Sequence, residues 1–128
     1  AQTPVYSARY APARICSILR ALEADGITPR DCTAEELAQL TAPEEVDLIR
    51  HIAEYTDEIV AAAKDFDPVR ITRYVIELAT KFHKFYNACR VKGEAEGLMQ
   101  ARLTLCRATA VVLRNVLTMF NITVPTSM

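Results

Sequence analysis

The stretch DPVRITRYVIELATKFHKFYNAC, residues 67–89, decides the fold class. Ile71, Tyr74, Val75, Leu78, Phe82, Phe85 and Cys89 recur at every third or fourth position, the period of an amphipathic helix and not of a strand. Asp67 supplies an acidic N-cap, and Pro68 stands at the first helical position, where its missing N–H costs nothing. Arg70, Arg73, Glu77, Lys81 and Lys84 repeat at the same spacing on the opposite face, which reads as a solvent-facing stripe.

The segments on either side follow the same period. Downstream, Lys92 to Gly97 reads as a connecting loop, and Leu98 to Phe120 as a helix with fifteen apolar residues in twenty-three, among them Leu103, Leu105, Val111, Val112, Leu113 and Leu117. A helix apolar on most sides belongs at the centre of a bundle. Upstream, Thr41-Ala-Pro-Glu44 reads as a capping box opening a helix that carries Val46, Ile49, Ile52, Ile59 and Val60, with a break expected near Thr56-Asp57. Thr33-Ala-Glu-Glu36 is another capping box, for a short helix through Leu40. Ala11 to Ala24 forms the first helix, with Pro12 in its first turn and Gly26 as a left-handed C-cap. Strand signals are absent. The expectation is an all-α helical bundle of about five helices, with residues 1–128 as one domain.

Composition excludes several classes. Apolar residues make up 51% and charged residues 24%, which rules out a disordered or collagen-like chain. Three glycines, Gly26, Gly93 and Gly97, leave almost no material for a phosphate-cradling loop. No apolar run approaches the ~18 residues that a membrane span needs, and no basic segment followed by an apolar run marks a secretory signal. A cytoplasmic protein without membrane partners is therefore expected. The chain opens on Ala1 and not on methionine, so a piece of a longer protein is expected as well.

The net charge of −1 conceals a segregation: residues 1–22 carry +3, residues 23–67 carry −10 and residues 68–128 carry +6. The two basic ends suit a nucleic-acid face if they pack together; from composition alone, charge decorating solvated helix faces is the simpler reading. Cys16, Cys32, Cys89 and Cys106 include no C-x-x-C pair, and Cys16, Cys89 and Cys106 sit at helical spacing among apolar residues, as buried free thiols do. His51 and His83 are too few and too badly spaced for a zinc site, so no metal is expected.

Catalytic constellations are missing. The sequence holds no nucleophile elbow, Walker lysine, His-Glu-x-x-His or dinucleotide fingerprint. The pairs Glu35/Glu36, Glu44/Glu45 and Asp57/Glu58 lie in first turns, where carboxylates complement the helix dipole. The segment Phe82-His-Lys-Phe-Tyr-Asn-Ala-Cys-Arg90 is more suggestive. His83, Asn87 and Arg90 share a helix face beside Tyr86, and a ring next to amide and cationic donors is what an unstacked RNA base requires. The competing reading makes Phe82 and Phe85 core, Tyr86 half-buried and the polar residues solvent contacts; the residues by themselves leave both open.

Four blocks in order carry a family resemblance: Tyr10-Ala-Pro-Ala-Arg-Ile-Cys-Ser-Ile-Leu-Arg20, Phe85-Tyr-Asn-Ala-Cys-Arg-Val91, Ala101-Arg-Leu-Thr-Leu-Cys-Arg-Ala-Thr109 and Ile122-Thr-Val-Pro-Thr-Ser-Met128. Together they resemble the C-terminal anticodon-binding domain of arginyl-tRNA synthetases, named for an Asp-Ala-Leu-Arg-like motif that stands here as Gln100-Ala-Arg-Leu103. The resemblance implies docking on the anticodon arm of tRNA-Arg. It also implies attachment to a class I catalytic domain that uses ATP with magnesium, and arginine, none of which this chain would bind itself. The class I signatures are absent, so no catalytic residue is expected here. Tyr86 and Met128 match positions that hold the anticodon loop in the family. Ser7 stands where the family carries an aromatic, which leaves Tyr6 and Tyr10 as the nearby rings. Tyr86, Met128, Tyr6, Tyr10, His83, Asn87, Arg90 and Arg73 are the candidate tRNA-binding residues, with Arg70, Lys81, Lys84, Arg107 and Arg114 as further phosphate contacts. The alternative is a free-standing helical scaffold that binds protein through the acidic 23–67 region or the Arg70–Lys84 stripe.

Overall fold

A computed structural model describes residues 4–65 and 67–119, with side chains from Ala13 onward except those of Leu117 and Met119. Among these residues the chain forms six helices and no strand: α1 (Pro4–Ala24), α2 (Ala34–Leu37), α3 (Pro43–Ala53), α4 (Tyr55–Asp65), α5 (Pro68–Ala88) and α6 (Glu96–Met119). The helix that the 67–89 stretch announces is α5. Asp67 accepts from the Arg70 N–H at 3.3 Å with Pro68 in the first turn, and Ile71, Tyr74, Val75, Leu78, Phe82 and Phe85 are all buried.

Two other termini are as local chemistry dictates. Thr33 and Glu36 exchange capping bonds at 3.2 and 3.0 Å. At the end of α1, Gly26 takes φ +87°; its N–H donates to Glu23 O at 2.9 Å and the Ile27 N–H to Leu22 O at 3.0 Å. That pair of bonds is a Schellman stop, and Leu22 and Ile27 both pack into the core behind it.

Other boundaries differ from expectation. Helix α1 begins at Pro4, seven residues before Ala11, so Pro12 lies inside the helix and it is Pro4 that takes the tolerant first position. The N-cap of α3 is Ala42 and not Thr41. Alanine has no side-chain acceptor, so only half of a capping box forms, with the Ala42 N–H donating to Glu45 Oε1 at 3.0 Å. The break between α3 and α4 falls at Glu54, two residues before Thr56.

Helix α6 is central, packed on α1, α2, α3 and α5, as its all-round apolarity requires. Helices α1 and α5 close the core against it, and α3 and α4 flank α5. Phe82, Phe85, Leu78, Ile15, Leu103 and Leu113 are almost completely removed from water, each burial stabilising by about 1.5–3 kcal/mol. Short α2 sits over the start of α6. A Cβ on Gly97 would stand 3.1 Å from Gln39 Nε2 and 3.2 Å from Glu36 Oε2, close enough that these side-chain ends would have to shift by a few tenths of an ångström.

The buried side chains His51 and Gln100 are paired, while among the described residues Glu44 Oε2 is buried without a hydrogen-bond partner. His51 stacks on Tyr74 with centroids 4.2 Å apart; its Nε2 lies 3.0 Å from Tyr74 O, and the Tyr74 hydroxyl donates to His51 O at 2.6 Å. The interchange ties α3 to α5. Gln100 clips the linker after α1 to α6: its amide donates to Thr28 O at 2.9 Å and its oxygen accepts from the Arg30 N–H at 3.1 Å. All four cysteines are free. Burial raises the Cys89 thiol and pushes Cys106 up to about 12, so both stay protonated. Cys16 departs from expectation: it is only half-buried, because it faces the edge between α1 and α6, where its sulfur meets Arg114 Nη2 at 3.2 Å.

Candidate nucleic-acid interface

The second half of α5 sorts its residues by angle. Phe82 and Phe85 turn inward, and Tyr86, four positions after Phe82, lies over it with parallel rings 5.9 Å apart. That contact leaves Tyr86 half-buried, with burial raising its hydroxyl pKa. His83 meets the Phe82 ring edge-on at 5.9 Å. Its pKa falls below the ordinary histidine value, first through burial and then through the Arg14 cation. At neutral pH it is thus an uncharged ring able to donate on one nitrogen and accept on the other.

The helix ends at Ala88. Cys89 is already extended, at φ −120° and ψ 112°, with its N–H donating to Phe85 O at 2.8 Å. Where the chain turns away, a groove of about 510 Å³ opens between the end of α1 and the end of α5. Ile18 and Leu22 form its apolar wall, opposite Tyr86, Asn87 and Arg90, with Lys92 and Asp25 at the mouth. Asn87 and Arg90 are exposed. Lys92 reaches Asp25 at 3.0 Å, but both side chains are about half in solvent, so the pair holds by no more than ~1 kcal/mol and yields readily to a stronger anion. An apolar wall, a half-exposed aromatic ring, an amide and two cations are the parts an unstacked nucleotide uses.

Tyr86, Asn87 and Arg90 therefore come together. His83 lies one turn back along α5, outside the groove. Arg73 is elsewhere: thirteen residues before Tyr86, or roughly 20 Å along the helix axis, it lines a separate concavity with His51, Glu54, Glu58 and Glu77. Tyr6 and Tyr10 belong to the first turns of α1, but their side chains, like the whole of Met128, lie outside the described residues. Arg14 and Lys92 are additions that sequence reasoning missed. Lys92 follows Arg90 closely enough to have been considered; nothing local marks Arg14.

The charge segregation resolves into two sides. Facing α3 and α4, three bases of α5 and α6 are consumed: Arg70 makes a two-pronged pair with Glu58 at 2.8 and 3.2 Å, Lys81 reaches Asp47 at 2.9 Å, and Arg102 reaches Glu45 at 2.7 Å. The hydrogen bonds from Arg70 and Lys81 hold the Glu58 and Asp47 carboxyls below their ordinary values. Arg70 and Lys81 are thus part of the packing of α5 on its neighbours and not members of an open stripe. On the other side, α1 lies against both α5 and α6. Arg14, Arg90, Arg107 and Arg114 are exposed there and form no ion pair among the described residues. Arg107 and Arg114 border a second, smaller groove of about 250 Å³ with Leu19 and Val111. Among the described residues no group of acids, histidines or cysteines is placed to hold a metal ion, and no helix is long and apolar enough to cross a membrane.

Comparison with known proteins gives a consistent result. The DALR anticodon binding domain family matches residues 8–128. The arginine–tRNA ligase of Acetivibrio thermocellus is 48% identical over 127 residues, covering 99% of this chain and 22% of that protein. That of Moorella thermoacetica is 41% identical over 128 residues, covering 100% of this chain and 23% of the relative. Among solved structures, Thermus thermophilus arginyl-tRNA synthetase superposes with a TM-score of 0.81 at 26% identity, over 94% of this chain and 20% of that one. The chain thus spans between a fifth and a quarter of the length of these relatives.

Proposed function

The chain belongs to the DALR anticodon binding domain family, and on that premise we propose that residues 1–128 act as one tRNA-binding domain that docks the anticodon stem-loop of tRNA-Arg. The α1–α5 groove carries this reading. Tyr86 offers a half-exposed ring on which an unstacked base can stack, Asn87 offers hydrogen-bonding groups for base edges with the neutral His83 one turn away, and Arg90 and Lys92, with Arg14 nearby, supply the positive field for the backbone. Arg107 and Arg114 extend that field along the other flank of α1. Tyr6, Tyr10 and Met128 are proposed as further tRNA contacts from the family resemblance, and Arg73 as a peripheral one. In the cytoplasmic parent enzyme, a class I arginine–tRNA ligase, a separate catalytic domain would attach arginine using ATP and magnesium, with this domain presenting the tRNA to it.

Titration of the chain with tRNA-Arg and with an unrelated tRNA, each at two salt concentrations, tests the proposal. A few phosphate contacts predict that affinity falls about tenfold or more for a fourfold rise in salt. Equal binding of the two tRNAs, or binding indifferent to salt, counts against it.

A further inference from the structure

Arg102 and Glu45 have no part in the groove's inventory, yet both are withdrawn from solvent, at 13% and 1% side-chain exposure. Each bonds twice. Glu45 Oε1 accepts from the Ala42 N–H at the start of α3, and Oε2 accepts from Arg102 Nε at 2.7 Å. The same guanidinium donates from Nη1 to the carbonyl of Arg90 at 2.6 Å, with the Glu94 carboxylate further off at 3.9 Å. A rigid fork based on α6 and anchored by a carboxylate from α3 thus grips the backbone where the chain leaves α5. That carbonyl belongs to the residue whose side chain lines the groove, four residues after Tyr86.

A buried ion pair seldom stabilises more than a well-packed apolar pair of equal volume. What it supplies is direction, because the guanidinium is planar and its donors stand at fixed angles. We propose that Arg102, oriented by Glu45, is a positioning residue for RNA recognition: it fixes the path of the chain from Phe85 to Arg90, and so the placement of Tyr86, Asn87 and Arg90 in the groove. The proposal rests on the anticodon-binding reading, and the experiment separates the two.

Arg102→Lys retains a cation beside Glu45, but a lysine ammonium lacks the fork that spans both oxygens. Amide NMR spectra of the 128-residue chain, without RNA, should show shifts at Tyr86, Asn87 and residues 90–92 while α1 and the centre of α6 stay in place. Shifts confined to the neighbours of Arg102 on α6 overturn the proposal. Affinity for tRNA-Arg is then measured for the wild-type chain, Arg102→Lys, Tyr86→Ala and the double variant. Arg102→Lys should weaken binding about three- to tenfold, and by less than about twofold once Tyr86 is gone, since both act through one groove. Equal losses in the two backgrounds mean that Arg102 acts by general packing, and the proposal fails. If Arg102→Lys does not fold, Glu45→Gln enters the same cycle, keeping volume while weakening the pull on the guanidinium. A wild-type chain that binds no tRNA refutes the anticodon reading, and the spectra then decide alone whether Arg102 holds the end of α5.

Discussion

Phe82 and Tyr86 are stacked neighbours on α5, yet truncating them should have opposite consequences. Phe82 is 1% exposed and lies between Phe85 and Tyr86. Phe82→Ala removes a fully buried ring from between α5 and the remaining core, a change that costs about 3–5 kcal/mol. For a domain of this size each kcal/mol moves the thermal midpoint by roughly 3–5 °C, so a fall of about 10–25 °C is expected. Tyr86 covers only the outer face of that ring and keeps part of its surface in water, so Tyr86→Ala should cost about 1–2 kcal/mol. The same substitution removes the groove's aromatic platform, and a stacked base contributes about 1–3 kcal/mol, or roughly five- to 150-fold in affinity. Melting curves followed by helical circular dichroism and titrations with tRNA-Arg, run well below the lower midpoint, read the two effects separately. Tyr86→Phe is the control and should retain both stability and most of the binding. If Tyr86→Ala melted as early as Phe82→Ala, or bound tRNA-Arg as the wild-type chain does, the assignment of Tyr86 to the interface would be refuted.

Tyr74→Phe deletes the hydroxyl that donates to His51 O at 2.6 Å in the core, but that carbonyl still accepts from the Glu54 N–H at 3.3 Å; urea denaturation should show a loss of about 0.5–1.5 kcal/mol, the net worth of one hydrogen bond. Gly26→Ala forces a side chain onto φ +87° at the end of α1 and should destabilise by about 1 kcal/mol in the same assay. The Glu36 carboxyl is lowered from 4.5 to about 2, chiefly by its hydrogen bond with Arg30 and then by the Thr33 N–H. Its folded pKa is the depressed one, so its contribution is present above pH 4.5 and is lost as pH falls toward 2; Glu36→Gln should flatten that part of an acid-unfolding profile. His83, lowered mainly by burial, should make stability decline as pH falls below 6.5, and His83→Gln should abolish that slope. Deleting Met128 should weaken tRNA-Arg binding several-fold with an unchanged melting midpoint, and unchanged binding would remove it from the interface.

The parts of the fold legible in the sequence are those whose partners lie within a few residues. The stripe of α5, its Asp67-Pro68 start, the Thr33–Glu36 box and the Gly26 stop are all built from bonds spanning five residues or fewer, so periodicity and cap chemistry specify them locally. The apolarity of α6 likewise announces its central place. Tyr86, Asn87 and Arg90 were legible as candidates because they crowd one helix end, and the ordered motifs placed them in a family. Tertiary structure decided the rest. Whether Arg70 and Lys81 face solvent or are spent on Glu58 and Asp47 depends on which helices pack beside α5. Arg14 joins the vicinity of His83 only because α1 crosses the end of α5. In the first turn of α3, Glu44 and Glu45 read alike as carboxylates suited to the helix dipole. Glu44 buries one oxygen without a partner, whereas Glu45 is buried whole and meets Arg102, fifty-seven residues along the chain. A pairing at that separation leaves no local pattern; it exists because packing brings α3 onto α6 and because burying a carboxylate requires that its charge be met.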